Sequence, residues 1–423
     1  MRSPLSHPTV VVVGGGVLGV SAAYHLARRG AEVVLLERDH LAAGASWGNA
    51  GTVSPGHPPL NQPGRVGAAV RQMMDPTSPL YIEPRWDPGL WRWLLDFARN
   101  CTAERVEEVM RILSPLGHEA LTAFGEIIET EGLDCGFSAE GYLDVCRTEE
   151  GLEEAAHEAE VIRPHGYHPE LLDAAGVAQA EPTLGPVAGG VFYPEAATLR
   201  PDCFVRELAD AARRRGVCLR EGVEVAEVMH GSGTVQGVRT VQGEVVRADA
   251  VVLATGPFSL ALSEQLGVSL PVQPGKGYHQ DVEVAPDGAP PLRTACVLHE
   301  TSVFCTPMEG SVRFAGTMEF SGLNDTVRRP RLEQLTRAAR TYFPGLGARP
   351  PHSEWCGLRP VSSDGLPVVG PVPGMDDVVI ATGHGMLGLT LGPVSGALVA
   401  DWILEGGPDP LYRALAPSRF TRR

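Results

Sequence analysis

The hydrophobic pattern changes period several times along the chain, and each change marks an element. Residues 9–13 are an unbroken β-branched run, as a strand buried on both faces of a parallel sheet requires. Residues 17–29 carry apolar side chains at helical spacing, and Gly30 supplies a C-cap. Residues 32–37 return to an apolar run of strand length. Together these three segments predict a β-α-β unit. Helical spacing dominates the next stretch, over 90–97, 103–130 and 149–162, with one short strand at 141–145. Pro201-Asp202 opens a helix to 215, with proline in its first turn. Strands follow at 217–219 and 250–254, with two short ones inside 235–246. Residues 271–351 read as strands and loops plus one helix at 331–342. The last apolar stretch, 378–404, is broken by His384, Asp401 and several glycines, so it reads as strand, glycine turn and long helix rather than a membrane span.

The alternation of these styles predicts two interleaved domains. One, of nucleotide-binding type, takes 1–56, 183–268 and 352–423; the other takes 57–182 and 269–351. Such interleaving places a site at the seam.

Composition narrows the function. The 423 residues are 43% apolar and 20% charged, an ordinary globular balance that excludes disorder and fibrous classes. The formal net charge of −16 lacks the basic footprint that nucleic acid demands. Eight cysteines stand at 101, 135, 146, 203, 218, 296, 305 and 356, with no C-x-x-C pair, as in a protein of a reducing compartment. Residues 1–8 have no apolar signal-peptide core. The expected location is therefore cytoplasmic. His165 and His168 sit in a Pro/Gly loop without a third ligand, so no metal site is expected. Lys276 is the single lysine against 34 arginines (35 basic residues less one), which singles it out as a position where a planar guanidinium does not fit.

The sharpest motif is Gly14-x-Gly16-x-x-Gly19 between the first strand and helix, with Glu37 ending the second strand. The glycines let the turn tighten, the backbone approach a pyrophosphate and the helix pack on the strand; the helix N-terminus offers N–H groups and a positive dipole end. An acid at Glu37 suits the two ribose hydroxyls and disfavours a 2′-phosphate. This is a dinucleotide site. The small-residue loop AGASWGNAG at 43–51 and the glycine-rich turn 382–390 favour FAD over NAD, because a second helix N-terminus suits the negative charge of a reduced flavin.

Seven segments carry a family resemblance: VVVVGGGVLGVSAAYHLARRGAEVVLLER at 10–38, SWGNAG at 46–51, RPDCFVRELADAARRRGV at 200–217, ADAVVLATGPFS at 248–259, PGKGYH at 274–279, WCGLRPVSSDGLPVVGP at 355–371 and ATGHGMLGLTLGPVSG at 381–396. In this order they resemble the FAD-dependent D-amino-acid oxidase superfamily, most closely its D-amino-acid dehydrogenase branch. The resemblance implies an α/β fold, a Rossmann-like FAD-binding domain interleaved with an α+β substrate domain built on an antiparallel sheet. It implies that Gly14, Gly16, Val17, Leu18 and Gly19 hold the pyrophosphate, and that Glu37 and Arg38 meet the ribose. Ser46, Asn49, Ala50 and Gly51 would line flavin and pyrophosphate, and Val225 would offer its backbone to adenine. Thr255 and Gly256 would close over the cofactor, and Gly385, Met386, Leu387, Gly388, Leu389 and Thr390 would face the pyrimidine ring. Covalent relatives use a cysteine where this chain has Gly357, so non-covalent FAD is expected.

For substrate, the Arg of a similar GLRP segment binds the carboxylate in these oxidases, which assigns Arg359; a planar guanidinium makes two parallel bonds to a carboxylate. Tyr278 is expected to share that carboxylate or cap the pocket, with Lys276 on the same strand face and His384 at the flavin edge. His57 and His279 are weaker candidates. The implied reaction oxidises the C–N bond of a small D-amino acid to the imine, by hydride transfer to flavin N5, and hydrolysis then gives a 2-keto acid and ammonia. O₂, a quinone or an electron carrier takes the electrons. Two alternatives remain: a secondary amine or imino acid such as sarcosine, glycine, D-proline or hydroxyproline as substrate, or a structural or RNA-modifying flavoprotein. The 90–97 helix, with Trp91 and Trp93, either packs inward or docks peripherally on the inner membrane face.

Overall fold

A computed structural model describes residues 7–67, 78–284, 292–346 and 349–421. The unbroken Val10–Val13 run behaves as its pattern requires. Thr9–Val13 lies inside a six-stranded sheet in the spatial order Val368–Val372, Met375–Thr382, Ala250–Leu253, Thr9–Val13, Glu32–Leu36 and Cys218–Arg220. All neighbours are parallel except the outermost pair, 368–372 with 375–382. Val10 and Val12 enter one core, Val11 and Val13 another, so both faces of the sheet are covered. The helices Val17–Arg28, Pro201–Arg214 and Gly392–Leu404 contribute to the first of these cores. Gly396 permits the close approach: a Cβ there would collide with the backbone of Ser21 and Ala22.

The second sheet has nine strands. Eight run Ser353–Ser362, Val272–Glu283, Ser311–Phe320, Val303–Met308, Ala295–Leu298, Tyr142–Cys146, Gly189–Tyr193 and Glu170–Asp173, and Leu80–Ile82 pairs beside 311–320. Most neighbours are antiparallel; 295–298 with 142–146 and 311–320 with 80–82 are parallel. The helix Arg329–Tyr342 packs on it through Leu332, Leu335, Ala338 and Ala339.

Several expectations shift. Strands 189–193 and 353–362 belong to the second sheet, so the chain crosses between sheets later than 183 and 352. Nothing in the apolar pattern of these strands tells which sheet takes them; register does. Three strands rather than two, Val225–Gly231, Thr234–Thr240 and Val245–Arg247, form a small separate sheet. The C-terminal long helix starts at Gly392, after a short 3₁₀ turn Gly385–Leu387, so its N-terminus lies beyond the 382–390 glycine turn.

Candidate functional site

The first glycine turn is built for close approach. Gly14 sits at φ +111°, where an L side chain is strained, and a Cβ there would run into the Ala254 backbone. A Cβ on Gly19 would overlap the Gly14 carbonyl oxygen, so helix and turn meet backbone to backbone. Helix 17–28 begins without a side-chain cap and without an acid in its first turn. Ser46 Oγ accepts the Val17 N–H at 2.9 Å, which brings the 43–51 loop against the helix start. That leaves an N-terminal dipole end facing the turn, beside Leu18.

Glu37 lies at the end of the second strand as expected. Its carboxylate accepts N–H groups from Gly15 (2.6 Å) and Asp39 (2.9 Å), so the acid is already fixed over the turn. Its backbone exchanges bonds with Arg220 (2.9 Å) and Val223 (2.8 Å), which draws Val225 toward the same end. Arg38 is exposed, and its guanidinium lies 3.9 Å above the Phe258 ring.

The 46–51 loop is self-bracing: Asn49 donates to Ala45 O at 3.0 Å and accepts the Gly51 N–H at 2.9 Å. Gly51, after the half-buried Ala50, adopts φ +72°, and Leu199 O leaves no room for a Cβ there. Thr382 donates to Gly256 O at 2.8 Å, and Thr255 pairs with Ser259 at 3.1 Å. Thr390 accepts the Ser54 N–H at 3.1 Å, tying the Gly385-Met386-Leu387-Gly388-Leu389 turn to the loop. Gly256 and Gly385, at φ +54° and +55°, have no atom within 4 Å of where a Cβ would stand. The bare 14–19 turn, with open space beside Gly256 and Gly385, thus offers a backbone cradle of the kind a dinucleotide needs.

The second sheet faces this cradle with one side. His279 pairs with Gly48 O at 2.7 Å, and Arg313 donates to Asn49 O at 3.1 Å while holding Asp281 in a two-point ion pair (2.8 and 3.0 Å). Trp355 stacks on His279, with centroids 5.2 Å apart. Its ring folds over Gly357, where a Cβ would overlap it, and Gly48 is bare for the same reason. Gly277 pairs directly with Gly357, and the Arg359 guanidinium lies flat on Gly277. Two opposed glycines thus form a bare floor, covered by Trp355 from one end and by Arg359 from the other. Arg359 donates to Thr317 O at 2.9 Å. Among the described residues no carboxylate pairs with it, and burial alone pulls its pKa down to about 10.

The whole of this arrangement lies within a family match. A family model for FAD-dependent oxidoreductases (DAO) matches residues 9–402. The chain belongs to this family. It is 37% identical over 420 residues to a D-amino acid dehydrogenase of Methylobacterium nodulans, covering 98% of this chain and 99% of that one. A D-amino acid dehydrogenase of Xanthobacter autotrophicus is 36% identical over 419 residues, with 97% and 99% covered. Among solved structures, glycine oxidase from Geobacillus kaustophilus superposes with a TM-score of 0.76 at 25% identity, covering 98% and 99%. L-proline dehydrogenase from P. horikoshii shares the fold at TM-score 0.75 and 20% identity.

In this FAD-dependent oxidoreductase, two sequence candidates stand on the wrong face. Gly275, Gly277 and His279 share the Arg359 face; Lys276 and Tyr278 alternate to the other side of the same strand. Tyr278 is buried and donates to Glu319 at 2.9 Å. Lys276, fully buried, donates to Asn324 Oδ1 and to Thr326 O (3.1 Å) and lies 3.5 Å from Glu319. Neither side chain reaches the Arg359 face. The strand register decides this, and the parity of 276, 278 and 359 could not be known before strands 272–283 and 353–362 were paired.

His384 is buried, and its Nε2 pairs with Ser395 Oγ at 2.9 Å, so the ring braces the turn on the C-terminal helix. Burial pushes its pKa down to about 4, and burial with the Arg313 charge does the same for His279; both rings are neutral at physiological pH. His57 bonds its neighbour's carbonyl, Pro58 O, at 2.7 Å. His165 and His168 face separate glutamates, Glu107 and Glu195. The pattern missed Trp355, Gly277 and Thr317; a strand with glycine at both members of one cross-strand pair was the available signal. No helix among the described residues is long and apolar enough to cross a membrane.

Proposed function

We propose that this enzyme oxidises small D-amino acids, with Arg359 as the anchor of the substrate carboxylate. The observation that carries the reading is an arginine at a covered sheet face, opposite the cofactor cradle, without a protein counter-ion among the described residues. Arg359 is half-buried, and a partly desolvated cation with no carboxylate beside it favours an anion, so the seat suits an anionic ligand. The guanidinium has one N–H on Thr317 O and keeps its remaining donors for a carboxylate. Trp355 supplies an apolar wall beside that seat. With the carboxylate fixed, the Cα–H is aimed across the seam, and the wall excludes water from the reacting carbon.

The 14–19 turn, Glu37, Ser46 and the 385–390 turn would hold FAD without a covalent bond, and bound there it would supply the two-electron oxidising capacity. The protein's own contribution is orientation. His279 and His384, with pKa values pushed down to about 4, are weak bases, so the amine would have to react in its neutral form, which rising pH populates. The imine product then hydrolyses to a 2-keto acid and ammonia. A quinone or electron carrier takes the electrons, as the dehydrogenase names of the relatives support.

The test is anaerobic mixing of the flavin-loaded enzyme with D- and L-amino acids, glycine, sarcosine and prolines while flavin absorbance is followed. Bleaching by D-amino acids, slow return of colour in air and fast return with a quinone are expected. Bleaching only by secondary amines, or by none, overturns the substrate assignment. Arg359→Leu should raise the amino-acid KM by at least about 10²-fold, given about 1.5–3 kcal/mol per charge-assisted bond.

We also propose that the exposed Trp86, Trp91 and Leu95 touch the interface of the inner membrane, where quinones reside; they are exposed at 90%, 52% and 61%. Wild-type protein should float with lipid vesicles and a Trp86→Ser/Trp91→Ser variant should not. Equal flotation of both removes this contact.

A further inference from the structure

The single lysine has no place on the substrate face, yet it lies at the point where the sheet deforms. Lys276 pairs with Glu319 across strands 272–283 and 311–320, while Tyr278 pairs with Gly316. Gly277 therefore faces two residues, Thr317 and Met318, and the 311–320 strand bulges there. Thr317 takes φ +65°, a region that β-branched residues avoid. Its own hydroxyl is buried and finds no partner among the described residues, so nothing local holds it in that conformation. Yet the Thr317 carbonyl is the acceptor that seats Arg359 on the opposite face.

What surrounds the bulge from behind is Glu319, two residues after Thr317 and fully buried. Its carboxylate accepts from Tyr278 OH (2.9 Å) and Ser321 Oγ (2.6 Å), and faces Lys276 Nζ (3.5 Å), Arg328 Nε (3.1 Å) and Arg331 Nε (3.9 Å). Lys276 and Tyr278 are the residues on either side of Gly277, the glycine on which the guanidinium lies. One carboxylate thus grips the facing strand on both sides of the arginine seat, from the face that substrate never meets.

We propose that Glu319 is a positioning residue for substrate binding: by clamping Lys276 and Tyr278 it holds the Thr317 bulge in its strained form, and so aims Arg359. This rests on the reading of Arg359 as the carboxylate anchor. A compact ammonium at 276 suits the clamp, because its Nζ also reaches Asn324 and Thr326 O in a fully buried space.

The experiment uses flavin-loaded full-length enzyme and separates binding from turnover. Glu319→Gln should raise the KM for D-amino acid and the inhibition constant of propionate, a carboxylate without an amine, by about tenfold each, as a partly lost charge-assisted contact does. The limiting rate of flavin reduction at saturation should change by less than about threefold. Thr317→Gly in the Glu319→Gln background should restore KM, because glycine adopts φ +65° without a clamp. A general loss of packing has no reason to respond to that second change. If Glu319→Gln fails to load flavin, Lys276→Met with the same readouts takes its place, with a smaller rise in KM and the same rescue by Thr317→Gly. An unchanged KM in the single variants, or a double variant no better than the single, overturns the proposal. Arg359→Leu separates the two failures: if it binds substrate normally the carboxylate-anchor reading falls, and if it alone is impaired only the role of Glu319 falls.

Discussion

Gly277→Ala should cripple substrate binding without unfolding anything. Gly277 lies in a strand, and its φ lies outside the left-handed region, so the alanine backbone is unstrained. Replacing a strand glycine with alanine ordinarily adds roughly 0.5–1 kcal/mol of stability by restricting the unfolded chain. Here the new methyl would fall on the guanidinium carbon and both terminal nitrogens of Arg359, inside the 3.0 Å that real Cβ atoms essentially never cross. Ordinary contact lies at 3.4–4 Å. The guanidinium must therefore retreat by about 1 Å, easily, because it ends a flexible side chain. A displacement of about 1 Å in a positioning group is enough to cost on the order of 10²-fold. Two parallel bonds to a carboxylate, at about 1.5–3 kcal/mol each, set an upper range of roughly 10²- to 10⁴-fold at about 1.4 kcal/mol per tenfold. The expected result is a fall in kcat/KM of about 10²-fold or more, dominated by KM, with full flavin content and an unchanged or slightly raised Tm. The assay is anaerobic stopped-flow reduction across a range of D-amino acid concentrations, with thermal unfolding in parallel. A variant that binds substrate like the wild type would refute the glycine floor as the seat of Arg359.

Two further outcomes follow from the same geometry. Gly19→Ala places a methyl on the Gly14 carbonyl, so the purified variant should carry substantially less FAD, read as the ratio of flavin to protein absorbance; full occupancy would contradict the backbone-to-backbone cradle. Stability should peak near pH 6.5. His25, His279 and His384 have folded pKa values pushed down to about 4 by burial, below their unfolded value of 6.5, so their contribution is present above 6.5 and lost as pH falls toward 4. His299, raised to about 9 despite burial by its bond to Asp144 (2.9 Å), contributes below 6.5, and that contribution is lost as pH rises through 9. Asp144 itself is raised by burial, which acts in the same direction. Each of the four histidines is worth on the order of 3 kcal/mol. A His299→Asn variant should flatten the alkaline decline in Tm, and an unaltered decline would show that the pair does not couple to folding.

The β-α-β unit of the first sheet was legible in advance because its signals are local. A glycine at φ +111° after a β-branched strand, with an acid ending the next strand, means one thing at any position in a chain. The substrate half was not, because its meaning lies in parity. Lys276, Tyr278 and Arg359 all sit on strands, and which face each takes depends on a pairing between residues some eighty positions apart. A one-residue change of register would have put Tyr278 beside Arg359. The role of the Trp355 ring was hidden for the same reason: it matters because Gly48, at the end of the short helix Ala45–Gly48, and Gly357 leave space for it. The crossings at 189–193 and 353–362 carried no punctuation that distinguishes a strand of one sheet from a strand of the other. Thr317 could not be foreseen at all, since no residue type announces that its backbone will be bent by its neighbours.

The order of strands in the first sheet has a consequence for synthesis. Thr9–Val13 pairs with Ala250–Leu253, far along the chain, which pairs in turn with Met375–Thr382. The two valine faces at the centre of the sheet therefore lack their final cover until residues 375–382 are made, and the helix Gly392–Leu404, packed against helix 17–28, comes later still. Pairings of such long range form slowly and leave apolar edges exposed in the meantime. The nascent chain is thus most vulnerable to aggregation while strands 9–13 and 32–36 wait for residues 375–404. Once that strand and helix arrive, the same step that buries those edges also bonds Thr382 to Gly256 O and Ser54 to Thr390, so the core and the 382–390 turn close together.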